Sequence, residues 1–322
     1  MKTKITELFD IKYPIIQGAL QYLSMTDLAV AVSEAGGLGT IPAMSFRQPE
    51  ELRSAIREIK ERTSKPFAVN ISMLPEVLID SLTKSFIEVV IKEQVPIVET
   101  SGRSPQGLVP IFKDHGLICT HKVSTLKHAK KAQDLGVDAV TIVGYECGGH
   151  PGIHDVTSSI FFAKAVSELT IPIIGAGGIC DSKSFYSAMS LGVDGVMLGT
   201  RFLASTEVKT SPEFRETLLK IQEHQTVLTL QSLNNAMRVY HNPLAEKILQ
   251  LEADGATLAE LMPYISGIKS FKAMESGQID EAQIVVGQAI GRINEILPAS
   301  EIINELMTGF QTSHQQMNVL AT

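Results

Sequence analysis

The first 200 residues alternate short apolar runs with amphipathic stretches, and this alternation constrains the fold more than any other feature of the chain. It is typical of repeated strand–helix units that build a parallel sheet. Eight parallel strands joined by right-handed crossovers close more naturally into a TIM (β/α)8 barrel than they form an open sheet. The predicted strands are YPIIQ (13–17), GLGTI (37–41), PFAVNIS (66–72), PIVET (96–100), LICTH (117–121), DAVTIV (138–143), IPIIGA (171–176) and GVMLGT (195–200).

The alternative architecture is a doubly wound open sheet of eight strands. Two features count against it. The turn after the first strand, QGALQYLS (17–24), lacks the G-x-G-x-x-G pattern of dinucleotide-binding sheets. The glycines cluster instead after the seventh and eighth strands, where barrels often bind a phosphate.

From about residue 210 the strand pattern disappears, and the rest of the chain reads as consecutive amphipathic helices. We therefore predict an α/β fold with a barrel over residues 1–210 and a mainly helical subdomain over 211–322. The subdomain would cover the active site and supply the last barrel helix. The predicted helices are FRETLLKIQEHQ (214–225), NPLAEKILQLEADG (242–255), LAELMPYISG (258–267), EAQIVVGQAIGRINEI (281–296) and ASEIINELMTGF (299–310).

Charge and composition exclude several classes of protein. The formal net charge is −7, and acidic and basic residues are mixed along the chain, so we expect neither nucleic-acid binding nor attraction to an anionic membrane surface. The first residues lack the apolar run of a secretory signal, and no window is apolar enough to span a membrane, which predicts a cytoplasmic protein. The three cysteines lack C-x-x-C spacing and are expected to be structural thiols.

Two glycine-containing strand ends suggest a phosphate site. IPIIGAGGI (171–179) and GVMLGTRF (195–202) would be neighbours in a barrel, and glycines there let backbone N–H groups approach a phosphate closely. The candidate residues are Gly177, Gly178, Gly199 and Thr200. The competing interpretation is that these glycines only permit tight turns.

The segment GYECGGHPG (144–152) supplies the strongest catalytic candidate, His150. Glycine and proline neighbours place this histidine on a loop rather than in a core, and an imidazole can act as a base or a hydrogen-bond donor near neutral pH. Glu146 and Cys147 are weaker candidates. A metal held by His150, His154 and Asp155 is an unfavoured alternative because it offers too few ligands.

Further polar groups follow other strands. Lys122 would be a cation at the same face, Asn70 and Ser72 would offer neutral hydrogen bonds, and QGALQ (17–21) would offer backbone N–H groups. Together these groups describe a ligand with a phosphate at one end and a polar heterocycle at the other. Flavin mononucleotide (FMN) fits that description.

Taken in order, YPIIQGAL, AGGLGTI, KPFAVNI, the segment HKVSTLKHAKKAQDLGVDAVTIVGYECGGHPG, PIIGAGGI and GVMLGTRF resemble the 2-nitropropane dioxygenase-like flavoproteins over residues 5 to 310. That group contains nitronate monooxygenases, related NADH:quinone reductases and flavin-dependent enoyl-acyl-carrier-protein reductases. The resemblance implies a TIM barrel with non-covalent FMN and a helical lid. It further implies a small-molecule substrate, a nitronate, a quinone or an enoyl thioester, with NADH or NADPH as electron donor in the two reductase groups.

The resemblance also implies roles for individual residues. His150 matches the active-site histidine of the family, and Lys122 would face the pyrimidine end of the flavin, where a cation stabilises the negative charge of the reduced ring. The other expected FMN contacts are Ala19, Leu20, Gln21, Asn70, Ser72, Gly149, Gly177, Gly178, Gly199 and Thr200.

The sequence departs from its relatives at two places and leaves two questions open. Gly18-Ala19 stands where close relatives have Gly-Gly, and Ile153-His154-Asp155 stands where they tend to have an acidic run; both departures bear on the substrate more than on the flavin. A phosphate-dependent isomerase or lyase that uses Lys122 in a Schiff base is the alternative from another class. A homodimer is compatible with the sequence but is not required by it.

Overall fold

A computed structural model describes residues 1–73, 80–152 and 154–320. Eight parallel strands form one sheet in the order β1-β8-β7-β6-β5-β4-β3-β2. The sheet closes between β1 and β2, where the N–H of Leu38 donates to Ile15 O and the N–H of Gln17 donates to Leu38 O, both at 2.9 Å. The TIM barrel and all eight predicted strands are confirmed. The strands are β1 (Ile15–Gln17), β2 (Gly39–Pro42), β3 (Phe67–Ser72), β4 (Ile97–Ser101), β5 (Ile118–Val123), β6 (Ala139–Val143), β7 (Ile173–Ala176) and β8 (Gly195–Leu198).

Helices cover the outside of the barrel, and polar caps begin several of them. Asp80, Thr125 and Asp181 each accept a backbone N–H three residues along the chain, which satisfies a donor that the helix itself leaves without a partner. None of the described helices has the length and apolar character needed to cross a membrane. The helices on the outside are α2 (Thr26–Glu34), α3 (Pro49–Arg62), α4 (Ser81–Lys92), α5 (Val109–Asp114), α6 (Leu126–Asp134), α7 (Ser158–Glu168), α8 (Ser182–Ser190) and α9 (Thr200–Leu203), whereas α1 (Lys4–Phe9) packs against the barrel interior.

The apolar core has two layers, as the alternation of side chains along each strand requires. One face of the strands packs against the surrounding helices. The other face fills the barrel interior, where α1 contributes Ile5 and Phe9 to the same apolar cluster as Ile16, Ala68 and Met197. The interior of the barrel is therefore a packed core, and the polar groups of the site lie above it.

In the C-terminal part the helices predicted over 214–225 and 258–267 are shorter than expected, and a helix over Gly267–Ser276 was not predicted. Two larger differences concern the type of structure. The C-terminal part contains an antiparallel hairpin, β9 (Thr226–Thr229) with β10 (Met237–Tyr240), where only helices were expected. The predicted helix over 281–296 is also wrong, because the only helical structure in this segment is two short 3-10 turns, one at its start (Ile279–Glu281) and one in its middle (Gln288–Arg292). The helices present are α10 (Pro212–Leu218), α11 (Pro243–Ala253), α12 (Leu258–Leu261), α13 (Gly267–Ser276) and α14 (Ala299–Leu320).

Both errors have physical reasons. The β-branched residues of β9 and β10 favour strands, and their effect outweighs the surrounding helical pattern. Gly287 packs so tightly on the barrel that a Cβ there would lie 2.6 Å from Glu146 O, and this contact holds the segment in a non-helical path. The long helix α14 packs against α2 and α8, in the place of an eighth barrel helix. The division of the chain at residue 210 stays a prediction.

One buried histidine makes the stability of the fold depend on pH. His121 lies on β5 with its Nδ1 2.9 Å from Thr100 Oγ1, and burial lowers its pKa from 6.5 to about 4. The unfolded chain therefore binds a proton between these pH values that the folded chain does not bind. The contribution of neutral His121 to the free energy of unfolding is fully present above pH 6.5 and is lost as the pH is lowered towards 4.

We expect proton binding by the unfolded chain to lower the free energy of unfolding by about 3 kcal/mol at pH 4. In His121→Gln the titrating group is absent, so urea unfolding measured from pH 7 to pH 4 should show a shallower loss of stability than the wild type. Equal pH slopes in the two proteins would contradict this account of His121.

Candidate active site

The predicted site residues meet at the carboxyl ends of the strands, which is the catalytic face of TIM barrels. Six of the eight strands contribute. Five of them are neighbours, in the order β1, β8, β7, β6 and β5, and the sixth, β3, is separated from β5 by β4. His150 follows β6 and so lies between the cation on β5 and the glycines after β7 and β8. The residues brought to this face are Ala19, Leu20 and Gln21 after β1, Asn70 and Ser72 on β3, Lys122 on β5, Gly149 and His150 after β6, Gly177 and Gly178 after β7, and Gly199 and Thr200 after β8.

Lys122 forms an ion pair with a carboxylate that the sequence analysis did not single out. Its Nζ lies 2.9 Å from Oε2 of Glu99, and the Lys122 side chain is 24% exposed whereas that of Glu99 is 4% exposed. Asn70 Nδ2 donates to the same Oε2 at 2.7 Å. Lys122 and Asn70, two of the residues predicted to contact FMN, therefore bind the same buried carboxylate oxygen.

The loop after β6 is fixed by the C-terminal part of the chain. Gly149 and Arg238 of β10 exchange two backbone hydrogen bonds, and the Arg238 guanidinium donates to Tyr145 O while lying over the Tyr145 ring. A Cβ at Gly148 would lie 2.7 Å from Gly287 N, so the two backbones are in close contact. The C-terminal part of the chain therefore holds the loop that carries His150.

Glu146 and Cys147 have structural surroundings. Both carboxylate oxygens of Glu146 accept from the backbone N–H of Ser158, at 2.9 and 3.1 Å, and so bind the first turn of α7. Burial raises the pKa of the Cys147 thiol to about 12, which keeps it protonated and unreactive. Cys119 and Cys180 are likewise buried and free, as expected of structural thiols.

His150 is exposed, in contrast to His121. Surrounding protein atoms nevertheless desolvate its ring and lower its pKa below 6.5. The imidazole is accordingly neutral at pH 7 and able to accept a proton. An accessible, neutral imidazole at this face can act as a general base.

The glycines after β7 and β8 have different structural requirements. Gly177 and Gly178 have φ angles of 98° and 72°, in the left-handed region that favours glycine. Gly199 has no such requirement, because a Cβ there would meet only Leu20 Cδ2, at 3.6 Å. Thr200 accepts a hydrogen bond from Gly287 N–H at 3.0 Å. Turn geometry thus explains Gly177 and Gly178, whereas nothing within the described protein requires a glycine at 199.

The loop after β1 contacts the C-terminal part of the chain. Leu20 N–H donates to Ser24 Oγ at 2.8 Å, and the Tyr22 ring stacks on Phe271 of α13 with centroids 5.7 Å apart. Gln21 is exposed and lies close to Gly267 at the start of α13. Ala19, Leu20 and Gln21 therefore lie where the barrel meets the C-terminal part of the chain.

The alternative metal site gains no support from the described residues, among which there is no group of three or more His, Cys, Asp or Glu that could hold an ion. Ile153, one of the three residues that depart from the pattern of the relatives, lies outside the described residues. Its neighbours His154 and Asp155 are both exposed.

The collection of these polar groups at one end of an eight-stranded barrel defines the chain as a TIM-barrel enzyme. The chain belongs to the nitronate monooxygenase family, whose profile matches residues 2–309. The family resemblance inferred from the motifs is confirmed, and the enzyme is an oxidoreductase.

Three similar proteins illustrate the relationship. The structure of FabK from Thermotoga maritima has 33% sequence identity and a TM-score of 0.91, and the match covers 99% of each chain. A probable nitronate monooxygenase of Staphylococcus aureus is 27% identical over 92% of this chain and 98% of its own length. A carboxyl-CoA dehydrogenase of Mycobacterium tuberculosis, acting by name on an octahydro-indene compound, is 30% identical over 77% of this chain and 68% of its own length.

Proposed function

We propose that this chain is an FMN-dependent oxidoreductase that binds FMN at the carboxyl end of the barrel and uses His150 to transfer a proton to or from its substrate. The observation that carries the proposal is the order of groups around the barrel. A cation on β5, a histidine after β6 and glycine turns after β7 and β8 follow one another on adjacent strands.

The residues present fit the chemistry of FMN. The open side of Gly199 leaves room for a phosphate beside its backbone, and the neighbouring glycines add N–H groups without side chains in the way. Asn70 must direct its Nδ2 to Glu99, because a carboxylate only accepts hydrogen bonds. Its Oδ1 would then be left to accept a hydrogen bond from the flavin, and Lys122 would supply positive charge to an electron-rich ring.

FMN, when bound, supplies the capacity to take electrons from one substrate and pass them to another. The protein's own residues do the remaining work. Lys122 and Asn70 orient the ring end, and the glycines hold the phosphate. The neutral imidazole of His150 accepts a proton from a substrate or returns one to it. Arg238 and Gly287 keep the His150 loop in place.

For the substrate, we propose an alkyl nitronate oxidised with O2, or transfer of electrons from NADH or NADPH to an acceptor such as a quinone. Oxidation or reduction of a thioester, as in the enoyl reductases of the resemblance, is the second candidate. It is favoured by the carboxyl-CoA dehydrogenase of M. tuberculosis, whose name specifies a CoA thioester. It is also favoured by the exposed apolar Val285, which lies next to Gly149.

Gly199→Ala tests the phosphate site. Since a Cβ at this position has ordinary contact distances and the φ angle is −101°, we expect unchanged thermal stability. We expect the Kd for FMN to rise about tenfold or more, because the methyl group would occupy the approach to the phosphate. Fluorescence titration with FMN measures the effect.

Gly107→Ala is the matched control, since a Cβ there meets nothing within 4 Å. It should leave both stability and FMN binding unchanged. A Gly199→Ala protein that binds FMN as tightly as the wild type would remove Gly199 from the proposed phosphate site.

A further inference from the structure

Glu99 is the least expected group in the barrel. It is a charged residue on a buried strand and is 3% exposed. Burying a charge is costly, and replacing a buried ion pair with apolar side chains is often neutral or stabilising. Stability alone therefore does not account for this carboxylate.

The position of Glu99 relates it to the cofactor site that we propose. Its Oε2 contacts Lys122 Nζ at 2.9 Å and Asn70 Nδ2 at 2.7 Å, so one carboxylate oxygen joins β3, β4 and β5. On its other side, Thr141 Oγ1 lies 3.5 Å from Oε1. The two residues that Glu99 holds are those assigned to the ring end of FMN, and Glu99 itself lies beneath them.

Below Glu99 the barrel is almost entirely apolar. A cavity of about 10 Å³ borders Glu99 together with Thr40, Thr120 and Thr141, and its other walls are apolar side chains. In such surroundings a charge is screened much less than in water, so its influence extends further. A negative charge here offsets part of the positive charge that Lys122 presents above it.

We propose that Glu99 is a positioning residue that fixes Lys122 and Asn70 against the flavin ring and, by partly neutralising Lys122, sets the midpoint potential of the bound FMN. This inference rests on the proposed function. The pair of charges presents a weak positive potential to the ring, and removal of the carboxylate makes that potential strongly positive. Reduced FMN, which carries negative charge, is then favoured over oxidised FMN.

Glu99→Gln keeps the size of the side chain and removes its charge. We expect reduced FMN to gain about tenfold in affinity relative to oxidised FMN, which raises the midpoint potential by about 30 mV for a two-electron couple. Spectroelectrochemical titration of the FMN-loaded protein measures this potential independently of turnover. Glu99→Asp, which keeps the charge, should restore most of the wild-type potential.

Thr120→Val is the matched control, because Thr120 lines the same cavity and its replacement alters no charge. If Glu99→Gln does not fold, the double variant Glu99→Gln/Lys122→Met leaves no unpaired buried charge. The midpoint potential of FMN bound to the double variant should lie above that of FMN bound to Lys122→Met, because the carboxylate no longer opposes reduction.

The outcomes separate the two proposals. A wild-type protein that does not bind FMN refutes the proposed function. A wild-type protein that binds FMN, together with a Glu99→Gln variant of unchanged potential, refutes the role of Glu99 alone. Equal changes of the midpoint potential in Glu99→Asp and Glu99→Gln would also refute this role. So would a changed midpoint potential in Thr120→Val, because either result would show that packing rather than charge sets the potential.

Discussion

His150→Ala should retain FMN and lose turnover by a factor of about 10² to 10⁴, the usual contribution of a positioned proton-transfer group. The residue lies on a glycine-flanked loop and is exposed. Its removal should therefore leave the thermal stability close to that of the wild type. Steady-state kinetics with the active substrate, together with FMN titration of the same preparation, separates catalysis from binding.

The pH dependence gives a second readout of His150. Because desolvation lowers the pKa of the imidazole below 6.5, the base stays neutral at pH 7 and becomes protonated only at more acid pH. In the wild type kcat/KM should fall on the acid side, below pH 6.5, and this fall should be absent in His150→Gln. A variant with unchanged turnover and an unchanged pH profile would exclude His150 from the mechanism.

Lys122→Met should weaken FMN binding at least about tenfold and lower the midpoint potential of the FMN that still binds. The substitution removes the cation proposed to face the ring and leaves the Glu99 carboxylate buried without its charge partner. We therefore also expect a lower unfolding temperature. Lys122→Arg is the matched control and should retain most of the affinity, since it keeps the positive charge.

Lys122 also distinguishes the redox proposal from a Schiff-base lyase. An ammonium held in an ion pair is not a nucleophile, so borohydride treatment in the presence of carbonyl substrates should trap no adduct on Lys122. A trapped adduct, or a Lys122→Met protein with unchanged FMN affinity and potential, would contradict the cofactor assignment.

Much of the fold could be predicted from sequence because parallel strands buried on both faces appear as short apolar runs separated by amphipathic helices. Asn70, Lys122 and His150 could be found as polar residues at the ends of such runs. Their convergence follows from topology alone, since all strand ends of a parallel barrel meet at one face.

Glu99 was not among the residues singled out from the sequence. It lies inside the apolar strand PIVET, where a charged residue reads as the end of the strand rather than as part of the site. The available signal was its register: residues 97, 99 and 101 face the same side of β4, and Ile97 faces the barrel interior. A carboxylate that faces the barrel interior requires a cation or hydrogen-bond donors, so its ion pair with Lys122 on the neighbouring strand could have been inferred.

The hairpin and the segment around Gly287 could not be predicted because tertiary contacts decide their conformation. Arg238 of β10 pairs with Gly149, which is 89 positions away in the chain, and Gly287 fits against Glu146 O. Local propensity carries no information about either contact. These contacts also hold the loop that carries His150, so the candidate site residues were easier to predict from the sequence than the contacts that support them.

The most direct test of the account is an anaerobic stopped-flow experiment with the FMN-loaded protein, mixed separately with NADH, NADPH and propyl nitronate while the visible absorbance of FMN is followed. We predict that FMN binds and that at least one of the three bleaches its absorbance within the time of a turnover. Reduction by a nicotinamide would favour the quinone or thioester reaction, and reduction by the nitronate alone would favour nitronate oxidation. A protein that binds no FMN, or holds FMN that none of the three reduces, would contradict the proposed function.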